Sequence, residues 1–223
     1  MKFFMEKEVA EHSRSSDLWL VVFGRVLDVT PLVHAVGPDA EEMRPILRFA
    51  GQDVSHWFDP HTQEFLRYTD VASGQRLPFD LHGVPPHVLD DTMEPVWWRD
   101  ERLQVGQVTK KQRTIRIINT LTGKTTNIDC CAEDTCEEIK RRYEALGLIV
   151  SGYAWICSLS GQELDPDKIL EENGIIDESD LFERLCLPVD LHTPSILLVY
   201  RDTLTPPLPL QLDPDLDLCC DIQ

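Results

Sequence analysis

The side chains with chemistry to offer are seven cysteines, seven histidines and an excess of carboxylates. Cys130-Cys131 and Cys219-Cys220 are adjacent pairs, not the C-x-x-C spacing that lets two thiolates reach one zinc, and no histidine cluster lies near either. The odd count with no secretory signal fits reduced thiols in buried or incidental positions, so no metal is expected. Ser, Cys and His all occur, but no nucleophile elbow, P-loop or H-E-x-x-H accompanies them, and the chain reads as a non-enzyme. Cys220-Asp-Ile-Gln223 has the outline of a prenylation box. The Asp after its cysteine and the acidic run upstream argue against it, because lipid anchors usually carry basic neighbours.

Composition narrows the partners. Of 223 residues, 21 are Lys or Arg and 39 are Asp or Glu, a formal charge of −18 that repels phosphate backbones and anionic leaflets. Neither nucleic acid nor membrane is expected as a partner. Charge interrupts the opening Met1-Lys-Phe-Phe-Met-Glu-Lys-Glu8 before any signal-like apolar core forms, and no apolar run approaches bilayer-spanning length. The expectation is a soluble intracellular chain whose 42% hydrophobic content suits two small domains.

Residues 1–80 read as the first domain. A short helix over 6–12 with Val9 and Ala10 on its apolar face precedes strands over 18–23 and 25–29, with Gly24 turning between them. The helix ending in His12, the Trp19 strand, Arg25-Val-Leu-Asp-Val-Thr30, Ala50-Gly-Gln-Asp53 and Phe58 together resemble the cytochrome b5 family. That resemblance implies haem held between two neutral imidazoles. The family's first ligand comes from an H-P-G-G turn, but Asp39-Ala-Glu-Glu42 stands there and leaves His34, near Gly37-Pro38, as the candidate. The second belongs a few residues after Phe58, where His61 is the candidate. The other reading makes His34, His56, His61, His82 and His87 surface or core histidines in a degenerate fold without cofactor. It is preferred, because two displaced ligands rarely meet across a haem.

Residues 81–112 read as a connector, interrupted by Gly83-Val-Pro-Pro86 and Asp90-Asp91. Trp97 and Trp98 carry too much apolar area to be left in water. They are candidates for packing between the domains or against a partner, and equally for closing the first domain's core.

Residues 113–190 begin with Thr114-Ile-Arg-Ile-Ile-Asn-Thr-Leu-Thr-Gly-Lys-Thr125, a β-branched run and a Thr-Gly turn that predict a hairpin. Strict alternation puts Ile115 and Ile117 inward, whereas an ungapped match to the first ubiquitin hairpin puts Arg116 and Ile118 there; a bulge would reconcile them. Thr135 and Glu138 form a capping box, and Ile139, Tyr143 and Leu146 share a helical face up to Gly147. A strand over 153–159 follows. The wording of the hairpin, Gly161-Gln-Glu-Leu164, and Leu170 with Asn173-Gly-Ile-Ile176 resemble ubiquitin, implying a β-grasp domain closed by a strand over 180–185. The chain continues past Leu185 without Gly-Gly, so the resemblance does not extend to an acyl donor; Leu121 matches one member of ubiquitin's binding patch, while Ser158 stands where an Ile is expected.

Residues 191–223 hold an apolar run, Ile196-Leu-Leu-Val-Tyr200, expected as an edge strand, and then a Pro-rich acidic tail. Pro206, Pro207 and Pro209 are candidate partner contacts in an extended segment. The fold class is thus α+β, a degenerate cytochrome b5-like domain followed by a ubiquitin-like β-grasp. That order of domains resembles a family of motile-cilium proteins placed at the radial spokes of the axoneme. It implies a structural component held by axonemal and radial spoke proteins, localised to the cilium and its cytoskeleton; the alternative is a haem-binding redox sensor that regulates beating.

Overall fold

The computed structural model describes residues 1–79, 82–89, 95–188 and 193–201. The first unit is built from β1 (Phe3–Phe4), α1 (Glu6–Glu11), β2 (Ser13–Arg14), β3 (Asp17–Val22), β4 (Arg25–Asp28), α2 (Thr30–Val36), α3 (Arg44–Arg48), the small hairpin β5 (Arg67–Thr69) and β6 (Arg76–Pro78), and β7 (Gln104–Val108). Its main sheet runs in the order β1-β7-β4-β3-β2. Both faces of β3 are covered, which accounts for its nearly unbroken apolar wording. Leu18, Leu20 and Val22 face a large core with α2 and α3, while Val21 joins Phe4, Val9 and Val26 beneath α1. Phe23 and Gly24 both take positive φ, 51° and 75°, in the two-residue turn between β3 and β4. The Ser55 hydroxyl accepts the Phe23 N–H at 2.7 Å and steadies that uncommon conformation.

The stretch 81–112 does more than connect. β7 inserts between β1 and β4, so the first unit continues to Val108, past the expected boundary at residue 80. Gly106 makes this geometry available. A Cβ there would meet the Lys2 carbonyl oxygen and come within 2.6 Å of the Phe4 ring, so only glycine lets β1 lie this close.

The second unit contains β8 (Gln112–Asn119), β9 (Thr125–Cys131), α4 (Cys136–Ala145), β10 (Tyr153–Cys157), α5 (Ser179–Arg184) and β11 (Ser195–Tyr200). Its sheet order is β10-β11-β8-β9, with β11 and β8 parallel in the middle. Alternation decides the first hairpin: Ile115 and Ile117 are fully buried, and pairing runs unbroken from Gln112 with Cys131 to Ile118 with Thr125, without a bulge. At its turn the Asn119 carboxamide oxygen accepts the Leu121 and Thr122 N–H groups at 3.0 Å each. Thr135 caps α4, accepting the Glu138 N–H, and Cys136, Ile139 and Tyr143 turn inward against Trp155, while Leu146 stays exposed.

Two expectations are corrected here. Residues 180–185 are not the closing strand but lie in and just beyond α5, because Asp177 Oδ1 accepts the Ser179 N–H and hydroxyl and starts a helical turn with good helix formers in it. β11 is central, not an edge. Its Ile196 and Leu198 are fully buried, and both of its neighbours are strands of the same sheet.

Candidate functional site

The residues with the clearest sequence case for binding chemistry were His34 and His61. His34 lies in the last turn of α2 and is exposed, as its neighbours Leu32 and Val33 take the buried face. His61 is also exposed, and it sits at the tip of a tight hairpin over 59–64. Phe58 bridges Phe65 across the base of that hairpin, the Asp59 N–H donates to the Glu64 carbonyl at 2.9 Å, and the Gln63 N–H donates to the Asp59 carbonyl at 2.8 Å. Asp59 Oδ1 accepts the backbone N–H groups of His61 and Thr62 at 2.9 and 2.8 Å. These donors, Thr62 first, hold its carboxyl below the usual range.

The hairpin is clasped from outside by the segment 97–99. The Trp98 indole Nε1 donates to the Gln63 carbonyl at 3.1 Å, and Arg99 Nη2 donates to the Thr62 carbonyl at 2.6 Å while Nη1 pairs with Glu64 at 2.7 Å. Arg25 ties the segment back to the sheet by donating to the Trp98 carbonyl at 2.7 Å. Phe58 then sits edge or tilted against Phe65, Trp97 and Trp98, with centroids 5.3–6.0 Å apart. Trp97 and Trp98 are 1% and 2% exposed. This corrects their candidacy as partner contacts: both close the first unit's core, because Phe58 and the hairpin offer them an apolar seat within the chain.

Neither candidate is set in the buried slot that haem ligation requires. Iron needs two imidazoles facing each other across a slot, whereas His34 and His61 are both exposed, and His61 rides a hairpin closed over packed aromatic rings. Two other histidines, His56 and His82, line one cavity with Trp57, Phe65, Phe79 and Gly83. Its volume is about 40 Å³, against roughly 300 Å³ or more for an ordinary cofactor pocket. His87 is engaged elsewhere, its Nδ1 accepting the Trp97 backbone N–H at 3.3 Å.

Of the described thiols, Cys130, Cys131, Cys136 and Cys157 are buried and Cys186 is exposed. Burial pushes Cys130 and Cys131 up to about 12 and Cys136 up to about 11, so none is a ready thiolate at neutral pH. Among the described residues, no group of three or more His, Cys, Asp or Glu side chains could hold a metal ion. Among the same residues, no helix is long and apolar enough to cross a membrane. Pro206, Pro207, Pro209 and the terminal cysteine pair lie outside the described residues.

Sequence reasoning missed the clasp formed by Arg25, Trp98 and Arg99, and also a set of charges where the two units meet. Lys7 pairs with Asp129, and Arg142 reaches Glu8 and the Phe3 carbonyl from α4. The one available signal was the alternating charge of Glu6-Lys-Glu8, which names no partner.

Comparison with known proteins bears on the first unit most directly. Residues 5–74 match the model of the "Cytochrome b5-like Heme/Steroid binding domain" family. Over 212 residues the chain is 38% identical to the Xenopus laevis protein named "Cytochrome b5 domain-containing protein 1", covering 92% of this chain and 96% of that one. The Mus musculus protein of the same name is 38% identical and the Homo sapiens one 37%, each with 92% of both chains covered. Among solved structures, a design based on ubiquitin aligns at 24% identity over 41% of this chain and 92% of its own. Its TM-score is 0.27.

Proposed function

We propose a non-enzymatic docking role for this chain, which belongs to the family of cytochrome b5 domain-containing protein 1. The observation that carries the proposal is the closed interior of the first unit: Trp57, Phe58, Phe65, Trp97 and Trp98 fill the space beneath the hairpin 59–64, and both candidate ligands are exposed. A fold that spends its interior on packing has only its outer faces to offer partners. The second unit is read as a ubiquitin-like β-grasp. What supports that is the order β10-β11-β8-β9, the parallel central pair and the single long helix α4 against the sheet. Together with the sequence resemblance, the role is assigned to the motile-cilium axoneme, at the radial spokes, with spoke proteins as partners and the segment holding Pro206, Pro207 and Pro209 as an added contact.

The test is extraction of motile cilia with detergent and then with high salt. The protein is expected to stay with the detergent-insoluble axoneme and to be lost from axonemes that lack radial spokes. Retention on spokeless axonemes, or full release by detergent, overturns the assignment. A second reading, a haem-binding redox sensor, is favoured by the family-model match over residues 5–74. Purified protein supplemented with haemin separates the two: the docking reading expects no Soret band that shifts on reduction, and a sharp one that vanishes in His61→Ala establishes the sensor.

A further inference from the structure

The charges at the meeting of the two units form one connected set. Arg142, in the last turn of α4, is 12% exposed at its side chain. Its Nε donates to Asp134 Oδ2 at 2.6 Å within the second unit, and the same oxygen accepts the Cys131 N–H at 2.8 Å. Its other two nitrogens cross to the N-terminal segment: Nη1 to Glu8, and Nη2 to the Phe3 carbonyl at 3.3 Å. Beside Glu8 in the sequence, Lys7 pairs with Asp129 of β9. The chain between the units is tied as well. The Thr109 N–H donates to the Phe4 carbonyl at 2.8 Å, and Glu133 accepts from the Thr109 hydroxyl at 2.6 Å and from the Lys110 N–H at 3.1 Å.

From this we infer that residues 1–11 act as a strap that locks the two units into one rigid body, with Arg142 as its anchor on the second unit. β1 holds the strap to the first sheet through β7 and the Gly106 opening, and Phe4, Met5 and Val9 are buried beneath it. Its Lys7 and Glu8 side chains and the Phe3 carbonyl reach across. A planar guanidinium suits this, because it donates to acceptors in both units at once while its own position is fixed by Asp134. The lock is independent of the docking reading, and its consequence is mechanical: faces on the two units keep a set angle, and a load on one passes to the other.

Limited trypsin digestion of the full chain tests it, since Lys110 and Lys111 lie in the linker. Lys7→Glu combined with Glu8→Gln removes the crossing charges, and the Gln keeps an oxygen for the Met5 N–H that Glu8 accepts at 2.7 Å. Cleavage after Lys110 or Lys111 is expected to rise about ten-fold or more as the linker opens, and the radius of gyration from small-angle scattering is expected to rise with it. Exchanging the pair, Lys7→Glu with Asp129→Lys, is expected to return the linker toward wild-type resistance relative to Lys7→Glu alone. Equal linker cleavage in the wild type and the double variant, or no recovery in the exchanged pair, overturns the strap.

Discussion

Trp97 shows how much a single side chain can close. It packs on Phe58 and Trp98 at 1% exposure, its backbone N–H rests on His87, and the neighbouring Trp98 and Arg99 hold the hairpin 59–64. Trp97→Ala is expected to cost about 3–5 kcal/mol, the usual range for deleting a buried large aromatic side chain, seen as a lower denaturation midpoint of the first unit. Asp177 belongs to the same scale. Burial opposes its ionisation, but the Lys111 ammonium at 2.8 Å and the Ser179 hydroxyl and N–H outweigh it and hold the carboxyl at about 2. Since the folded value lies below the unfolded one, this contribution is full above about pH 4 and is lost as pH falls toward 2. Urea titrations across that window should therefore show an acid-labile part of roughly 1–2 kcal/mol in the wild type, and a smaller one in Lys111→Met.

At the scale of elements, two substitutions probe what holds each unit's pieces. Thr135→Ala removes the cap of α4 and should lower stability by about 1 kcal/mol, read from thermal unfolding followed by helix circular dichroism. Gly106→Ala forces a side chain into Lys2 and Phe4 and should cost roughly 1–3 kcal/mol, with faster amide exchange along β1 and α1 as its local signature. These elements also mark what a sequence can say. The hairpin β8–β9 and the cap of α4 were legible because alternation, turn chemistry and capping are written within a few neighbouring residues. β7 was not, since Gln104-Val-Gly-Gln-Val108 is a strand by virtue of lying between β1 and β4. The misplaced β11 has a long-range cause, since its parallel pairing with β8 joins residues far apart in the chain, whereas the Asp177–Ser179 turn that starts a helix over 180–185 is local and was overlooked. At the candidate site, Phe58 and the A-G-x-D motif pointed to the right fold. The sealing of that site by Trp98 on Gln63 and Arg99 on Thr62 is long-range, and local wording carried no trace of it.

For the whole molecule, the charge of −18 sets conditions on every partner. Docking onto acidic neighbours would need basic patches that this chain scarcely has, so under the docking role proposed above its binding is expected to weaken steeply as salt rises, through slower association on positively charged surfaces. Measuring the association rate at two ionic strengths checks this, and an unchanged rate would mean that apolar faces dominate. The last strand carries a different consequence. Because β11 fills the middle of the second sheet, a ribosome must deliver the chain through Tyr200 before the β8–β9 hairpin and β10 can be joined into one sheet. Until then both present bare edges to chaperones, and a premature stop codon anywhere ahead of Ser195 would leave a half-built domain destined for degradation, however intact its first unit.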